Sequence, residues 1–153
     1  MKSIYNPDDF RQITSRINKL SPDSQRQWGK MSVNEMICHI TDQIRLALDQ
    51  KNTQFPFNPV VQFFGRLTFV YGFRFPKNFI TVREMKQGPK GEGTKPTNFK
   101  QDFDSLICVL NEFASKDKSY IFSPHPAFGK MNRKEWGIMV YKHLDHHLTQ
   151  FAV

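Results

Sequence analysis

Hydrophobic residues recur every three or four positions over several long stretches of this chain, as they do on one face of an α-helix. The first stretch follows Asn6-Pro7, which pairs a helix-capping residue with a proline suited to the first helical position. Its apolar positions are Phe10, Ile13, Ile17 and Leu20. The capping box formed by Ser32 and Glu35 predicts the start of a second helix. The apolar face of that helix comprises Val33, Ile37, Ile40, Ile44 and Ala47.

Two more long helices are predicted in the second half of the chain. One covers about Phe99 to Ser115, and the other begins at Asn132, where Glu135 completes another capping box, and runs nearly to the C-terminus. The segment from Val60 to Phe73 is densely apolar, and its length favours a short extra helix although its aromatic and β-branched residues also permit strands. The composition of residues 83–98, with several Gly, Pro and Lys, predicts a long, mobile, basic loop. The whole pattern predicts an all-α fold.

The last predicted helix carries two histidines on its apolar face. His143 and His147 are four residues apart, so their side chains lie one turn apart on the same side of the helix. The stripe that they share also contains Trp136, Val140 and Phe151. Such a pair is half of a metal site, because it presents two imidazoles to one ion. The neighbouring His146 belongs to a different stripe, and we expect it to point toward a more polar flank.

A third ligand must come from elsewhere in the chain. His39 is the leading candidate because it lies at the edge of the apolar face of the second helix, whereas His125, between two prolines, is a weaker one. Gln150 either reaches the site or is only a polar residue at a helix end, and Trp136 is expected in the core or in a pocket wall. Periodicity alone leaves two readings open for the pair: a metal site, or two buried imidazoles held by hydrogen bonds.

Composition and charge limit the partners that this chain can have. Its 153 residues suffice for one domain, 1–153, and its 15 phenylalanines make the expected core largely aromatic. The formal net charge of +8 raises nucleic acid as a partner. However, residues 1–76 hold 10 basic and 6 acidic residues (+4), and residues 77–153 hold 12 and 8 (+4). This even distribution indicates a solvated basic surface and argues against a nucleic-acid-binding face.

Cysteine usage and hydropathy indicate the compartment. Cys38 and Cys108 lie in helical patterns and do not have the spacing of a disulfide framework, which suits free thiols in a reducing environment. The N-terminal residues lack the apolar core of a signal peptide, and no stretch is apolar enough to span a bilayer. We therefore expect a cytoplasmic protein without a membrane partner.

Several motifs together resemble the DinB/YfiT-like superfamily of metal-binding helical bundles. The most specific is the ending His143-x-x-His146-His147-x-x-Gln150, combined with His39 on the second helix. The other matching motifs are Trp28-Gly29-Lys30-Met31, the loop His125-Pro126-x-Phe128-Gly129, and Glu135-Trp136. They look like one uncharacterised bacterial branch of that superfamily. The resemblance covers essentially the whole chain, although residues 52–98 match loosely.

The resemblance implies a four-helix bundle with an up-down-down-up core. It also implies that His39, His143 and His147 bind a divalent metal ion, with His146 as an adjacent histidine that is not a ligand. Zn and Ni are the leading candidates, and Fe or Mn would also suit three imidazoles. Characterised relatives are thiol S-transferases that act with low-molecular-weight thiols, and others are described as metal-dependent hydrolases. The expected function is therefore a metal-dependent enzyme of one of these classes that acts on a small molecule.

Two other classes of function remain as alternatives. In the first, the chain is a non-catalytic binding or scaffold module whose metal site is structural or vestigial, and its aromatic surface forms a homodimer. In the second, suggested by charge alone, it binds nucleic acid. Metal analysis with and without a chelator separates the first alternative from an enzyme, and salt-dependent retention on DNA would support the second.

Overall fold

The computed structural model describes residues 1–54, 58–77 and 81–153. Within them the chain is helical, and the only paired extended residues are His125 and Gly129, which form an isolated bridge. The α-helices are α1 Pro7–Ile17, α2 Val33–Ala47, α3 Pro59–Arg66, α4 Phe99–Ser115 and α5 Arg133–Gln150. The predicted all-α class is thus confirmed. No helix of the described residues combines the length and apolar character needed to cross a bilayer.

The helices begin where the sequence places their caps. The Asn6 side chain accepts hydrogen bonds from the backbone N–H groups of Asp8 and Asp9 at the start of α1. Reciprocal capping boxes start α2, where Ser32 pairs with Glu35, and α5, where Asn132 pairs with Glu135 in the same way. The two boxes set the beginning, and hence the side-chain register, of the two helices that carry His39, His143 and His147.

The core brings α2 and α5 together. α2 packs against both α4 and α5, and α1 packs against α5. The apolar face of α2 is buried as its periodicity predicts, with Ile37, Ile40 and Ile44 at most 1% exposed. The facing side chains are Leu106, Leu110 and Phe113 of α4 and Trp136, Val140 and Leu144 of α5. Each such buried side chain stabilises the fold by about 1.5–3 kcal/mol, so the relative position of α2 and α5 is strongly determined.

The helical segment that includes α3 lies mostly on the surface. α3 is described throughout and has no buried residue, and it continues into a π-helical turn, Leu67–Gly72. This confirms the helix predicted from Val60 to Phe73, although the sequence does not indicate its π-helical part. Lys142 of α5 fastens the turn, because its ammonium group donates hydrogen bonds to the carbonyl oxygens of Phe69 and Phe73.

The basic stretch 83–98 is fastened to the bundle at two points. It starts with a 3-10 turn, Arg83–Met85. The backbone N–H and the hydroxyl of Thr94 donate to the fully buried carboxylate of Asp42 on α2, at 2.7 and 2.6 Å. The hydroxyl of Thr97 donates to Asp102 on α4, at 2.8 Å. Met85 in the 3-10 turn is buried in the core, so the stretch is anchored although its composition predicts a mobile loop.

Candidate metal centre

Three histidine rings meet between α2 and α5. The Nε2 atom of His143 lies 3.1 Å from Nε2 of His39 and 3.0 Å from Nε2 of His147. One nitrogen from each ring lies within 4.8 Å of the others, as in a group that could hold a metal ion. His39 and His147 are buried, and His143 is partly buried. The fold therefore brings together the three histidines that the sequence singles out, and we call them the histidine trio.

Each ring of the trio is oriented by an oxygen atom behind it. Nδ1 of His39 lies 2.8 Å from the backbone oxygen of Met85, and Nδ1 of His143 lies 3.0 Å from Oε1 of Gln43. Nδ1 of His147 lies 2.8 Å from Oε1 of Gln150. A backbone oxygen only accepts, so Nδ1 of His39 carries the proton, and with the Gln43 and Gln150 amides oriented as in the structure Nδ1 of His143 and of His147 also donates. Metal-binding histidines characteristically donate their second nitrogen to an oxygen in this way.

The protonated Nδ1 atoms leave three Nε2 lone pairs directed at one another. In this proton arrangement the three nitrogens do not hydrogen-bond to one another, and a shared cation would accept all three lone pairs. Zinc–imidazole bonds are about 2.0–2.1 Å long, so two imidazoles of one ion have nitrogens about 2.8–3.4 Å apart at usual bond angles. The spacings of 3.0 and 3.1 Å fall within this range, and the residues present therefore fit a metal ion.

A hydrogen-bonded trio would need a different proton arrangement. His143 would have to carry its proton on Nε2 and donate it to a neighbouring ring, while its Nδ1 accepted from Gln43. The Gln43 amide would then be reversed from the orientation in the structure, leaving Oε1 without its hydrogen bond. The orientation of Gln150 is fixed independently, because its Nε2 donates to the Trp28 carbonyl at 2.8 Å. The metal-binding and the hydrogen-bonded arrangements thus differ in the proton position on His143 and in the orientation of the Gln43 amide.

The surroundings favour neutral imidazoles in the trio. Burial lowers the pKa of His39 below its ordinary value. Burial also lowers the pKa of His143 and His147 well below that value, and repulsion from neighbouring histidines adds to the effect. Neutral imidazole is the form that binds metal ions, so the trio is ready to accept a cation near neutral pH.

A cavity of about 670 Å³ adjoins the trio. Its wall includes all three histidines and also Gln43, His125, His146 and Gln150. The rest of the wall is largely apolar, with Phe75, Phe128 and Met139 among its residues. A ligand of small-molecule size can therefore lie beside the histidine nitrogens, and such concave, mostly apolar sites are typical of small-molecule binding.

His146 lies beside the trio but outside it. Its ring centroid is 5.0 Å from that of His147, and it also faces Trp28 at 6.0 Å and Phe75 at 6.2 Å. The expectation that His146 points toward a polar flank was therefore wrong, because aromatic residues from other segments cover this side of α5. Its ring lines the cavity, although it does not belong to the group of nitrogens that could hold an ion.

The two remaining candidate residues, His125 and Trp136, pack against other aromatic rings. The His125 ring stacks on Phe128 with centroids 4.4 Å apart, and its Nδ1 accepts from the N–H of Ala127. Burial lowers the pKa of His125 to about 3, so the ring is neutral. Trp136 is completely buried in the core, 5.5 Å from His125. His125 lines the cavity with its loop, and Trp136 supports that loop from behind.

The sequence did not predict two of the three oxygen contacts behind the trio, and it predicted the third only in part. Gln43 was missed, although it lies one helical turn after His39 and its position on the same face of α2 could have indicated it. The Met85 contact uses a backbone oxygen, which leaves no signal in the sequence. Gln150 was treated as a polar residue at a helix end or a residue near the site, and the structure places it in a hydrogen bond with His147.

Comparison with known proteins places the chain in one family. Residues 6–153 match the family described as "Protein of unknown function (DUF1569)", and the chain belongs to it. No curated protein and no solved structure matches the chain. The family carries no assigned activity, so the function has to be argued from the site.

Proposed function

We propose that the histidine trio binds one divalent metal ion and that the protein is a metal-dependent enzyme acting on a small molecule in the adjoining cavity. The observation that carries this proposal is the convergence of the three Nε2 atoms, with an oxygen facing Nδ1 behind each ring. Three protein ligands leave coordination positions open for water or substrate, which is the arrangement of catalytic sites.

The proposal includes membership of the DinB/YfiT-like superfamily. Four long helices, α1, α2, α4 and α5, surround the core, and α3 corresponds to the short extra helix predicted from the sequence pattern. The ligands come from the second and the last helix, which is where the superfamily pattern places them. The likeness in helix order and ligand position supports the assignment, and a solved structure of the chain would test it.

The chemistry of an open site of three imidazoles fits two reaction classes. A bound divalent ion supplies Lewis acidity, lowering the pKa of water or a thiol held there. In this chain Met85, Gln43 and Gln150 orient the three rings, and the wall of the adjoining cavity is largely apolar. These features suit a hydrolase or a thiol S-transferase using a low-molecular-weight thiol. Zn or Ni suits the imidazole donors best, and Fe or Mn would also be accepted.

Metal content tests the proposal. Wild-type protein should bind about one zinc or nickel ion per chain by plasma mass spectrometry, and His143→Ala and His147→Ala should lose it. His146→Ala is the matched control, since it removes a neighbouring cavity imidazole and should retain the ion. If a variant with all three trio histidines replaced still held stoichiometric metal, the site would be wrong.

Turnover requires its own test. Metal-loaded protein should convert chromogenic esters or electrophilic aryl halides, the latter only with an added thiol, and the His146→Ala control should retain the metal throughout. Dependence on thiol distinguishes the transferase from the hydrolase. A protein that binds metal but converts neither class would leave the ion without a catalytic role and would contradict the enzymatic part of the proposal.

The surface of α3 favours a second candidate, a binding or scaffold module that forms a homodimer. Several large apolar side chains of the segment 60–73 are exposed, among them Val60 at 64%, Phe64 at 61% and Phe73 at 73%. Contiguous exposed apolar surface is typical of interaction sites. Analytical ultracentrifugation of wild type and Phe64→Glu decides the matter: a dimer that becomes a monomer in the variant supports the homodimer, and a wild-type monomer refutes it.

A further inference from the structure

The cavity beside the trio contains a buried amide group whose donor is unused. Gln43 is only 2% exposed, and its Oε1 accepts from Nδ1 of His143. Its Nε2 finds no hydrogen-bond partner within residues 1–54, 58–77 and 81–153. Because Gln43 lines the cavity, this amide can serve a ligand placed next to His143. A buried donor without an acceptor is unfavourable, and a ligand oxygen would remove that penalty.

In the described part of the chain, the charged side chains that line the cavity are all positive. Among the described residues that line it, none is Asp or Glu, whereas Lys30 and Lys86 both contribute to the wall. Both lysines are exposed, and neither forms an ion pair with the described part of the chain. A cavity with a donor amide, two ammonium groups and no carboxylate favours an anionic organic ligand over a cationic one.

The apolar part of the cavity wall favours a ligand that is itself largely apolar. Met31, Val82, Phe128 and Met139 present hydrocarbon, thioether and aromatic surface to the cavity. Burying apolar ligand surface against them is favourable, at roughly 25 cal/mol for each Å². Besides the histidines, Gln43 and the two lysines, the polar side chains of the described wall are Trp28, Thr81, Gln87 and Gln150. They are too few to replace all the hydrogen bonds to water that an extended sugar or peptide would lose.

We infer that the cavity binds a small apolar carboxylate, with one carboxylate oxygen accepting from Nε2 of Gln43 and the apolar body lying against the wall formed by Met31, Val82, Phe128 and Met139. This rests on the proposed function, in which an ion at the trio adds positive charge to the same cavity. The inference specifies the class of ligand, an oxyanion on an apolar body, which the three histidines alone leave open.

Calorimetric titration of the full chain with a matched series of compounds tests the inference. Octanoate, octanol and octylamine share one apolar body and differ in the head group. Zinc-loaded protein should bind octanoate at least about tenfold more tightly than octanol, as expected for a hydrogen bond to a charged group, and octylamine most weakly. Equal binding of octanoate and octanol, or tighter binding of octylamine, would overturn the inference.

Two substitutions with the same charge change test the role of Gln43. Gln43→Glu keeps an oxygen for His143 but removes the unused donor, while Gln150→Glu keeps an oxygen for His147 and removes a donor already paired with Trp28. Gln43→Glu should weaken octanoate binding by at least about tenfold relative to wild type and well beyond Gln150→Glu, with octanol binding unchanged. Equal losses in the two variants would show that charge, rather than the Gln43 donor, is responsible.

The same samples separate this inference from the metal proposal. Zinc content and melting temperature are measured for each protein before titration. Bound zinc without a preference for the acid refutes the inference and leaves the metal site standing. Protein that takes up no zinc refutes the metal proposal, and titration of that metal-free protein still decides the inference through the preference for octanoate over octanol.

Discussion

The Nε2 atoms of His39 and His143 lie 3.1 Å apart, although one residue belongs to α2 and the other to α5. Behind each ring an oxygen faces Nδ1, and with the Gln43 amide oriented as in the structure neither Nε2 has a proton with which to bond the other. Two such lone pairs repel each other unless a cation lies between them. In that proton arrangement the packing of α2 on α5 holds two lone pairs that a shared cation would stabilise.

The first prediction concerns the position of the proton on His143. Nitrogen-15 NMR of the zinc-loaded protein should show His143 protonated at Nδ1, with its Nε2 signal shifted by the metal, because Gln43 Oε1 faces Nδ1. His39 and His147 should show the same pattern. Protonation of His143 at Nε2 in the zinc-treated protein would mean that the trio is hydrogen-bonded and that the Gln43 amide is reversed.

The second prediction concerns Gln150, whose Oε1 holds Nδ1 of His147. Gln150→Leu should lower zinc affinity by about 10–100-fold, the usual effect of removing an oxygen behind a metal-binding histidine. Competition with a chromogenic chelator measures this. Gln101→Leu, at an exposed position of α4, is the control and should leave the affinity unchanged. Unchanged affinity in Gln150→Leu would show that this hydrogen bond does not support a metal ligand.

The third prediction concerns the stability of the metal-free protein in acid. The folded state lowers the pKa of the trio histidines and brings that of His125 to about 3, through burial. The unfolded chain binds these protons near pH 6.5, so it holds more protons than the folded state below that pH. The free energy of unfolding should therefore be greatest above about pH 6.5 and fall as the pH decreases toward about 3.

Urea unfolding of chelator-treated protein at several pH values measures this dependence. Each imidazole kept fully neutral contributes up to about 1.4 kcal/mol per pH unit, and His125→Phe should reduce the slope by one such contribution. A free energy of unfolding that stays constant between about pH 7 and about pH 4 would indicate that the folded protein protonates its histidines as readily as the unfolded chain.

The fourth prediction concerns Lys142, which donates hydrogen bonds to the carbonyl oxygens of Phe69 and Phe73. Lys142→Met leaves both oxygens without this donor and should destabilise the π-helical turn by about 1–3 kcal/mol. Hydrogen exchange of the amides in residues 67–73 should become faster. Lys134→Met removes an exposed lysine of α5 and should leave this exchange unchanged; equal rates in both variants would contradict a fastening role for Lys142.

Helix order and the location of the trio could be predicted because they depend on local signals. The caps at Ser32 and Asn132 set where α2 and α5 begin, and helical periodicity then assigns His143 and His147 to one apolar stripe. The position of His39 at the margin of the apolar face of α2 made it a plausible partner. These inferences need only the geometry of each helix and the rule that apolar faces meet.

The parts that could not be predicted depend on other segments. Periodicity shows the direction of His146 from its own helix, but not that Trp28 and Phe75 would cover that direction. The backbone oxygen of Met85 accepts from His39, and the loop that follows it is bound to Asp42 of α2 through Thr94. Such contacts result from the path of the chain in three dimensions, which no spacing within one helix specifies.

A zinc-soaked crystal with data collected on both sides of the zinc absorption edge shows directly whether the histidine trio binds a metal ion. If the trio binds zinc, one strong anomalous peak is expected at bonding distance, about 2.0–2.1 Å, from the Nε2 atoms of His39, His143 and His147. The oxygens of Met85, Gln43 and Gln150 are also expected to stay behind the three rings. An empty trio, or a peak bound only by residues outside it, would contradict the claim that this site binds a metal ion.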